Sequence, residues 1–397
     1  MQTALLTYKE DDLVLNDLFQ AYFDARKNKR NTINALKFEK HFEHNLFALH
    51  DEIISFRYEP QPSICFVVDK PVKREIFAAD FKDRVVHHLL FNYLSPIFEK
   101  LFIYDSYSCR KGKGTHCGIH RIDHFIRSCS DNYKKYCYIL KLDIKGYFMS
   151  INRNLLYEKL QLTLLNQKNQ LHFNLSLVLF LLQKVIFNDP TENCIIRGRK
   201  ADWEGLPASK SLFCSGKERG LPIGNLTSQL FGNVYLNDFD HFVKKELGIS
   251  YYGRYVDDFV LVHPDKFHLL YCIEKIKDYL KDNLMLTLHP KKIYLQHFSK
   301  GVKFLGAIVL PYRIYASNRT MGNFYNAIEN QNRVVRDHKP SIEEKSAFRS
   351  STNSYLGILK HYKTYKFRKR LIKDNLSAWW WNYAFLTGGY AKFELKN

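Results

Sequence analysis

No run of about 18 apolar residues occurs in this 397-residue chain, which excludes a helix able to span a bilayer. The richest stretch, residues 171–187, is interrupted by His172, Asn174, Gln183 and Lys184, as in a helix buried within protein. Residues 1–12 turn acidic at once and lack the apolar core of a signal peptide. The eight cysteines include no Cys-x-x-Cys pair, so zinc and redox motifs are unsupported and the thiols read as free, as in a reducing cytosol. The Gly-x-x-x-x-Gly-Lys-Ser/Thr spacing is missing, which removes a Walker-type ATPase. Internal repeats and low-complexity segments do not occur either. Acid is scarce: 40 Asp and Glu stand against 60 Lys and Arg, a net charge of +20. Such a field draws polyanions, with nucleic acid the first candidate and an anionic membrane surface a weaker second.

What the chain does contain is 46% hydrophobic and 15% aromatic residues, enough to bury cores in two or three structural units. One stretch organises the rest. Around Tyr255-Val256-Asp257-Asp258 the chain is apolar or aromatic on both sides, with two adjacent carboxylates at the centre. Adjacent acids repel, and a β-hairpin that lifts them to its tip puts them where a divalent metal relieves the repulsion. An Asp-Asp pair is equally ordinary turn chemistry, so a third acid is needed. The β-rich run over residues 136–142 delivers it, ending on Asp143.

Around this pair of acids the chain alternates helical and extended segments. Residues 10–58 carry apolar residues at helical spacing, with a basic connector over 26–30. A short strand over 65–68 leads to Lys70 and Arg74, and a helix is expected through 85–94. Arg110, Lys111 and Lys113, interleaved with Gly112 and Gly114, form a basic loop that opens a helix near 118–128, a plausible phosphate seat. A further helix is expected near 153–165, and residues 188–220 read as loop. Gly224 and Asn225 stand at a helix entrance, where a ligand could approach the backbone closely. An amphipathic helix over 267–282, a turn over 289–292 and a strand pair over 302–310 follow, and from Ser317 to the end the pattern is helical. Residues 346–373 hold eight Lys or Arg and no acid, mixed with Tyr355, Tyr362, Tyr365 and Phe367, which suits a nucleic-acid groove. Lys360, Lys363, Arg368 and Arg370 are the candidate contacts.

Taken in order, these blocks resemble a reverse transcriptase. Lys70 to Arg74 resembles the fingers segment that holds the incoming triphosphate. Asp143-Ile144-Lys145-Gly146-Tyr147-Phe148 and Tyr255-Val256-Asp257-Asp258 are similar to the two catalytic palm blocks. Pro290-Lys291-Lys292 looks like the block whose lysine approaches pyrophosphate, and Phe304-Leu305-Gly306 like the primer-grip hairpin. Ile223-Gly224-Asn225-Leu226-Thr227-Ser228-Gln229 replaces the Gln-Gly-x-x-x-Ser-Pro form of group II intron and retron enzymes, and resembles the reverse transcriptases of diversity-generating retroelements. Trp203, Leu206-Pro207, Lys210-Ser211-Leu212-Phe213 and the segment 354–362 look similar to that group as well.

The resemblance implies an α+β, right-hand polymerase fold. Its parts would be an N-terminal extension with helical fingers (1–135), a palm of antiparallel sheet and helices (136–316, with an insertion at about 154–219) and a helical thumb (317–397). It implies two Mg²⁺ ions, with Mn²⁺ as substitute, on Asp143, the Ile144 carbonyl, Asp257 and Asp258. Lys292 would act as the acid for pyrophosphate. Lys70, Arg74, Phe148, Ile223, Gly224 and Gln229 would line the nucleotide site, with Phe148 as a steric gate against the ribose 2′-hydroxyl. The implied partners are a template RNA, a DNA or RNA primer, dNTPs and a basic oligomeric accessory variability protein. Misincorporation at template adenines, a cytoplasmic setting in a bacterial or phage-encoded system and the lack of a nuclease or integrase region after the thumb complete the expectation. An antiphage-defence or group II intron-like reverse transcriptase, and a non-catalytic RNA-binding protein on the same scaffold, are the alternatives.

Overall fold

The computed structural model describes the backbone of residues 2–27, 32–69 and 72–396, with side chains from residue 14 onward. Helices α1 (Gln2–Arg26), α2 (Ile33–Glu39) and α3 (Phe42–Ile54) precede strands β1 (Ile64–Val68) and β2 (Arg74–Ala78). Then come α4 (Phe81–Glu99), α5 (Thr115–Cys129), β3 (Tyr138–Asp143), α6 (Tyr147–Ser150), α7 (Arg153–Asn166), α8 (Leu175–Phe187) and β4 (Ile195–Ile196). After a stretch of short 3-10 turns, α9 (Leu226–Tyr235) and α10 (Asn237–Lys245) lead into β5 (Tyr251–Tyr255), β6 (Asp258–His263) and α11 (Lys266–Leu284). The chain ends with β7 (Tyr294–His297), β8 (Val302–Phe304), β9 (Ala307–Leu310), β10 (Arg313–Ala316), α12 (Asn318–Asp337), α13 (Ile342–Leu359), α14 (Tyr365–Asn375), β11 (Ala384–Thr387) and β12 (Lys392–Leu395).

Several boundaries are set by local capping chemistry. The Asp80 carboxylate accepts from the Lys82 amide at 3.0 Å and starts α4, and Asn152 does the same for α7 through the Leu155 amide at 2.9 Å. Ser341 and Glu344 form a reciprocal capping box that opens α13. A four-stranded sheet has the order β5-β6-β3-β7, and two three-stranded sheets have the orders β2-β1-β4 and β10-β9-β8.

Two compact units result. One comprises Met1–Gly114, Leu142–Val260 and Phe267–Ile293, the other Thr115–Lys141, Leu261–Lys266 and Tyr294–Asn397. In the first, α4 packs on α1 and α9, and the Tyr22 ring stacks on Phe42 with centroids 5.1 Å apart. β1 pairs antiparallel with β2 and parallel with β4. In the second unit, Phe348 stacks on Trp380 at 4.0 Å, inside a core with Phe324, Ile328, Leu356, Ile372 and Phe393. Trp380, the middle residue of the run Trp379-Trp380-Trp381, is fully buried in that core.

The helical reading from Ser317 to the end needs one correction. After α14 the chain forms the antiparallel hairpin β11–β12, with Ala384 opposite Leu395 and Thr387 opposite Lys392. Gly388 and Gly389 make the left-handed turn (φ 60° and 61°), a hairpin signal present in the sequence. No helix of the described residues is long and apolar enough to cross a membrane.

Candidate active site

β3 ends on Asp143, whose carboxylate is nearly buried, and the backbone around it is tied down on both sides. The Ile144 amide donates to the Asp257 carbonyl at 3.2 Å, and the His289 amide donates to the Asp143 carbonyl at 2.8 Å. The second tie places the 289–292 turn beside Asp143, and from there Lys292 Nζ donates to Asp143 Oδ2 at 2.7 Å.

Asp257 lies in the tight turn between β5 and β6, and Asp258 is the first residue of β6. Val256, just before, sits in the left-handed region at φ 56°, a costly position for a β-branched residue. The neighbours hold it there. Arg254 Nη1 donates to the Val256 carbonyl at 3.0 Å, and the Val256 amide donates to Ser108 Oγ at 3.2 Å. Arg254 is itself locked, with Nε and Nη2 each 2.7 Å from an oxygen of Asp240, both side chains fully buried. Tyr252 donates to the same carboxylate at 2.6 Å. Arg254 and Asp240 were not legible as site residues, because nothing local marks a pair 14 positions apart.

Burial pushes the Asp257 carboxyl up to about 6; repulsion from Asp143 and Asp258 adds to the rise, and Lys292 counters it. The three acids therefore feel one another. Among the described residues no set of three His, Cys, Asp or Glu side chains is arranged to hold a metal by itself. The donors present, two mutually repelling carboxylates and the nearby Ile144 backbone, nevertheless fit a hard, oxygen-seeking divalent cation that takes its remaining ligands from water and phosphate.

The other expected site residues fall into place unevenly. Lys70 lies outside the described residues. Arg74 is exposed at the start of β2, close enough for its charge to act on the Tyr255 phenol. Phe148 and Ile223 both pack on a small core of Cys65, Phe77, Met149 and Leu212. Gln229 is exposed on α9. At Gly224 (φ +133°) a Cβ would stand 2.7 Å from the Phe77 carbonyl, and the Phe77 amide donates to Ile223 O at 2.9 Å. The close approach expected for a ligand at Gly224 and Asn225 is thus made by the backbone of β2.

The 203–213 segment has an anchor that sequence reasoning missed. Buried Glu75 of β2 accepts from Trp203 Nε1 at 2.7 Å, Ser211 Oγ at 2.9 Å and the Leu212 amide at 2.6 Å. The same segment closes on the loop after Asp143, where a Cβ on Gly146 (φ +56°) would meet the Ser209 carbonyl at 2.7 Å.

Two expected nucleic-acid contacts are corrected. Arg110 is turned inward, with Nε 2.9 Å from Glu99 and Nη1 2.6 Å from the Ile103 carbonyl, so its donors brace the fold. Arg368 is buried against the Tyr390 carbonyl. Lys113 Nζ sits 3.1 Å from the Tyr104 ring centroid, while Lys111, Lys360, Lys363 and Arg370 are exposed.

The family model described as reverse transcriptase (RNA-dependent DNA polymerase) matches residues 70–309, which include Asp143, Asp257, Asp258 and Lys292. Protein YkfC of Escherichia coli (strain K12) is 24% identical over 295 residues, 66% of this chain and 70% of that protein. Apo telomerase from Candida tropicalis, truncated from its C-terminal domain, is similar at a TM-score of 0.47 and 13% identity, over 67% of this chain and 59% of that one. Telomerase from Candida albicans with a fragment of telomeric RNA gives 0.45 and 14%, over 86% and 62%. The chain thus spans about three fifths of the length of these telomerase chains. Reverse transcriptase domains generally use divalent metal ions, in keeping with the donors found here. With well over half of its length matched to the family and an α+β fold to carry it, the chain belongs to the reverse transcriptases, the RNA-dependent DNA polymerases.

Proposed function

We propose that the protein copies a template RNA into DNA from a primer and dNTPs, with Asp143, Asp257 and Asp258 as the catalytic carboxylates. The observation that carries this is the tie between the Asp143 strand and the Asp257 turn, in which the Ile144 amide donates to the Asp257 carbonyl while Arg254 holds the turn rigid, so that buried, mutually repelling carboxylates come together. Asp143 and Asp257 would hold two Mg²⁺ ions, which would supply a lowered pKa for the primer 3′-hydroxyl and positive charge against the triphosphate. The chain's own residues do the rest. Asp143 and Asp257 orient the reacting groups, and Asp258 tunes the charge of the site. Lys70 and Arg74 place fixed positive charge toward the β and γ phosphates. Lys292 holds its proton at Nζ, 2.7 Å from Asp143, and delivers it to departing pyrophosphate.

Within the family, the diversity-generating group is the reading we favour, with a template RNA, a basic accessory variability protein and frequent errors opposite template adenines. Its support is Ile223, an apolar residue that packs, as Phe148 does, on the Cys65–Phe77–Met149–Leu212 core, where related enzymes keep a glutamine. An apolar wall there constrains base and sugar less firmly. Primer extension on an RNA template with Mg²⁺, followed by sequencing of the cDNA, tests both levels. DNA product with errors concentrated at adenines is expected; accurate product overturns the subgroup, and no product overturns the enzyme.

A further inference from the structure

Within the second unit, α5, the turn after it, the β9–β10 turn and the α13–α14 connection enclose a cavity of about 430 Å³. That volume suits one mononucleotide. No residue of its wall belongs to the carboxylate site. Arg127, Arg313 and Lys363 bring positive charge, and Tyr133 and Tyr312 bring aromatic rings whose centroids lie 4.4 Å apart. Asp123 brings a carboxylate whose Oδ1 is 3.5 Å from the Tyr133 hydroxyl.

The backbone keeps these tyrosines in place at a cost. Asp131, Asn132 and Tyr133 are three consecutive left-handed residues, at φ 50°, 53° and 70°, and Tyr312 stands at φ 65°. Aspartate and asparagine tolerate that region, but tyrosine does so rarely. Tyr312 is also 75% exposed, so core packing does not account for it. Strain of this kind persists where side chains are needed in fixed positions. Lys363 was a candidate nucleic-acid contact on composition alone; the fold surrounds it with groups scattered over some 240 positions of the chain.

We propose that this cavity binds one unstacked nucleotide of single-stranded RNA. The base lies against Tyr312 and Tyr133, the phosphate is held by Arg127, Arg313 and Lys363, and Asp123 accepts from a base N–H or the ribose 2′-hydroxyl. An acidic peptide fits less well, because Asp123 repels a carboxylate where a nucleotide offers a donor. The site goes beyond the polymerase reading, since RNA held here need not be the strand being copied.

The test is fluorescence anisotropy with the full chain and a labelled single-stranded RNA of about 12 nucleotides, without divalent metal, primer or dNTPs. Tyr312→Ala is expected to weaken binding about ten-fold, with Tyr312→Phe retaining wild-type affinity. Asp123→Asn is expected to narrow the preference for RNA over DNA of the same sequence. Wild-type affinity in Tyr312→Ala overturns the proposal. Competition by guanosine monophosphate as effective as by the unlabelled strand overturns it in favour of a free nucleotide. Equal competition by polyglutamate overturns it in favour of a charge-only surface. Absence of DNA synthesis would sink the polymerase reading while leaving this measurement intact.

Discussion

Lys292 Nζ lies 2.7 Å from Asp143 Oδ2, so the lysine expected to serve the leaving group is also the counter-ion of the carboxylate we propose as catalytic. An ammonium there competes with a divalent cation for Asp143 and offsets the repulsion at Asp257. Lys292→Ala is therefore expected to tighten metal binding in the free protein a few-fold while slowing nucleotide incorporation about 10²–10⁴-fold. Titration calorimetry with Mg²⁺ and single-turnover incorporation measure the two effects. Unchanged turnover would reduce Lys292 to a counter-ion.

Arg254 and Asp240 form a fully buried, two-pronged ion pair whose third donor fixes the Val256 carbonyl. Arg254→Ala leaves Asp240 charged and unpaired, a loss of about 3–5 kcal/mol in urea denaturation. Arg254→Lys is expected to recover little, since one ammonium cannot meet both carboxylate oxygens and the carbonyl.

Burial raises the Asp83 carboxyl to about 7, against hydrogen bonds from the Tyr58 hydroxyl (2.8 Å) and the Gln61 amide (2.8 Å) that favour its charged form. The native state holds this proton more tightly than the unfolded chain. Stability from this group is therefore greatest below pH 4, falls as pH rises from about 4 to about 7, and the full cost of ionisation is present above that. Asp83→Asn is expected to raise Tm at pH 8 relative to the wild type, with the advantage shrinking toward pH 4. An advantage that is equal at both pH values would contradict the assignment.

The edge of the Phe148 ring would lie 3.3 Å from a Cβ built on Gly232, and the ring packs on the Cys65–Phe77–Met149–Leu212 core, which limits its movement. Phe148→Ala is expected to admit ribonucleotides at least ten-fold more readily, measured as the ratio of kcat/KM for dNTP and rNTP. Unchanged discrimination removes Phe148 as the gate.

Much of the fold was legible in short-range pattern. The Asp143 strand, the Tyr255–Asp258 turn and the amphipathic helix now seen at Lys266–Leu284 follow from periodicity and turn chemistry. Long-range pairing was not legible. Arg110 and Arg368 look like surface cations in sequence, and only the folded chain reveals the Glu99 carboxylate and backbone carbonyls that take up the Arg110 donors and the burial of Arg368 against the Tyr390 carbonyl. Glu75, which gathers Trp203, Ser211 and Leu212 from positions more than 125 residues away, carries no local signal at all. The β11–β12 hairpin was the avoidable miss, since Gly388-Gly389 between two apolar runs is a turn signature.

The central claim is that Asp257 belongs to a working polymerase site. Primer extension on an RNA template with Mg²⁺, comparing the wild type with Asp257→Asn, tests it most directly, because the amide keeps the shape of the side chain and removes its charge. The account predicts templated DNA from the wild type and a loss of at least about 10²-fold in the variant. Equal incorporation by the two proteins would contradict it.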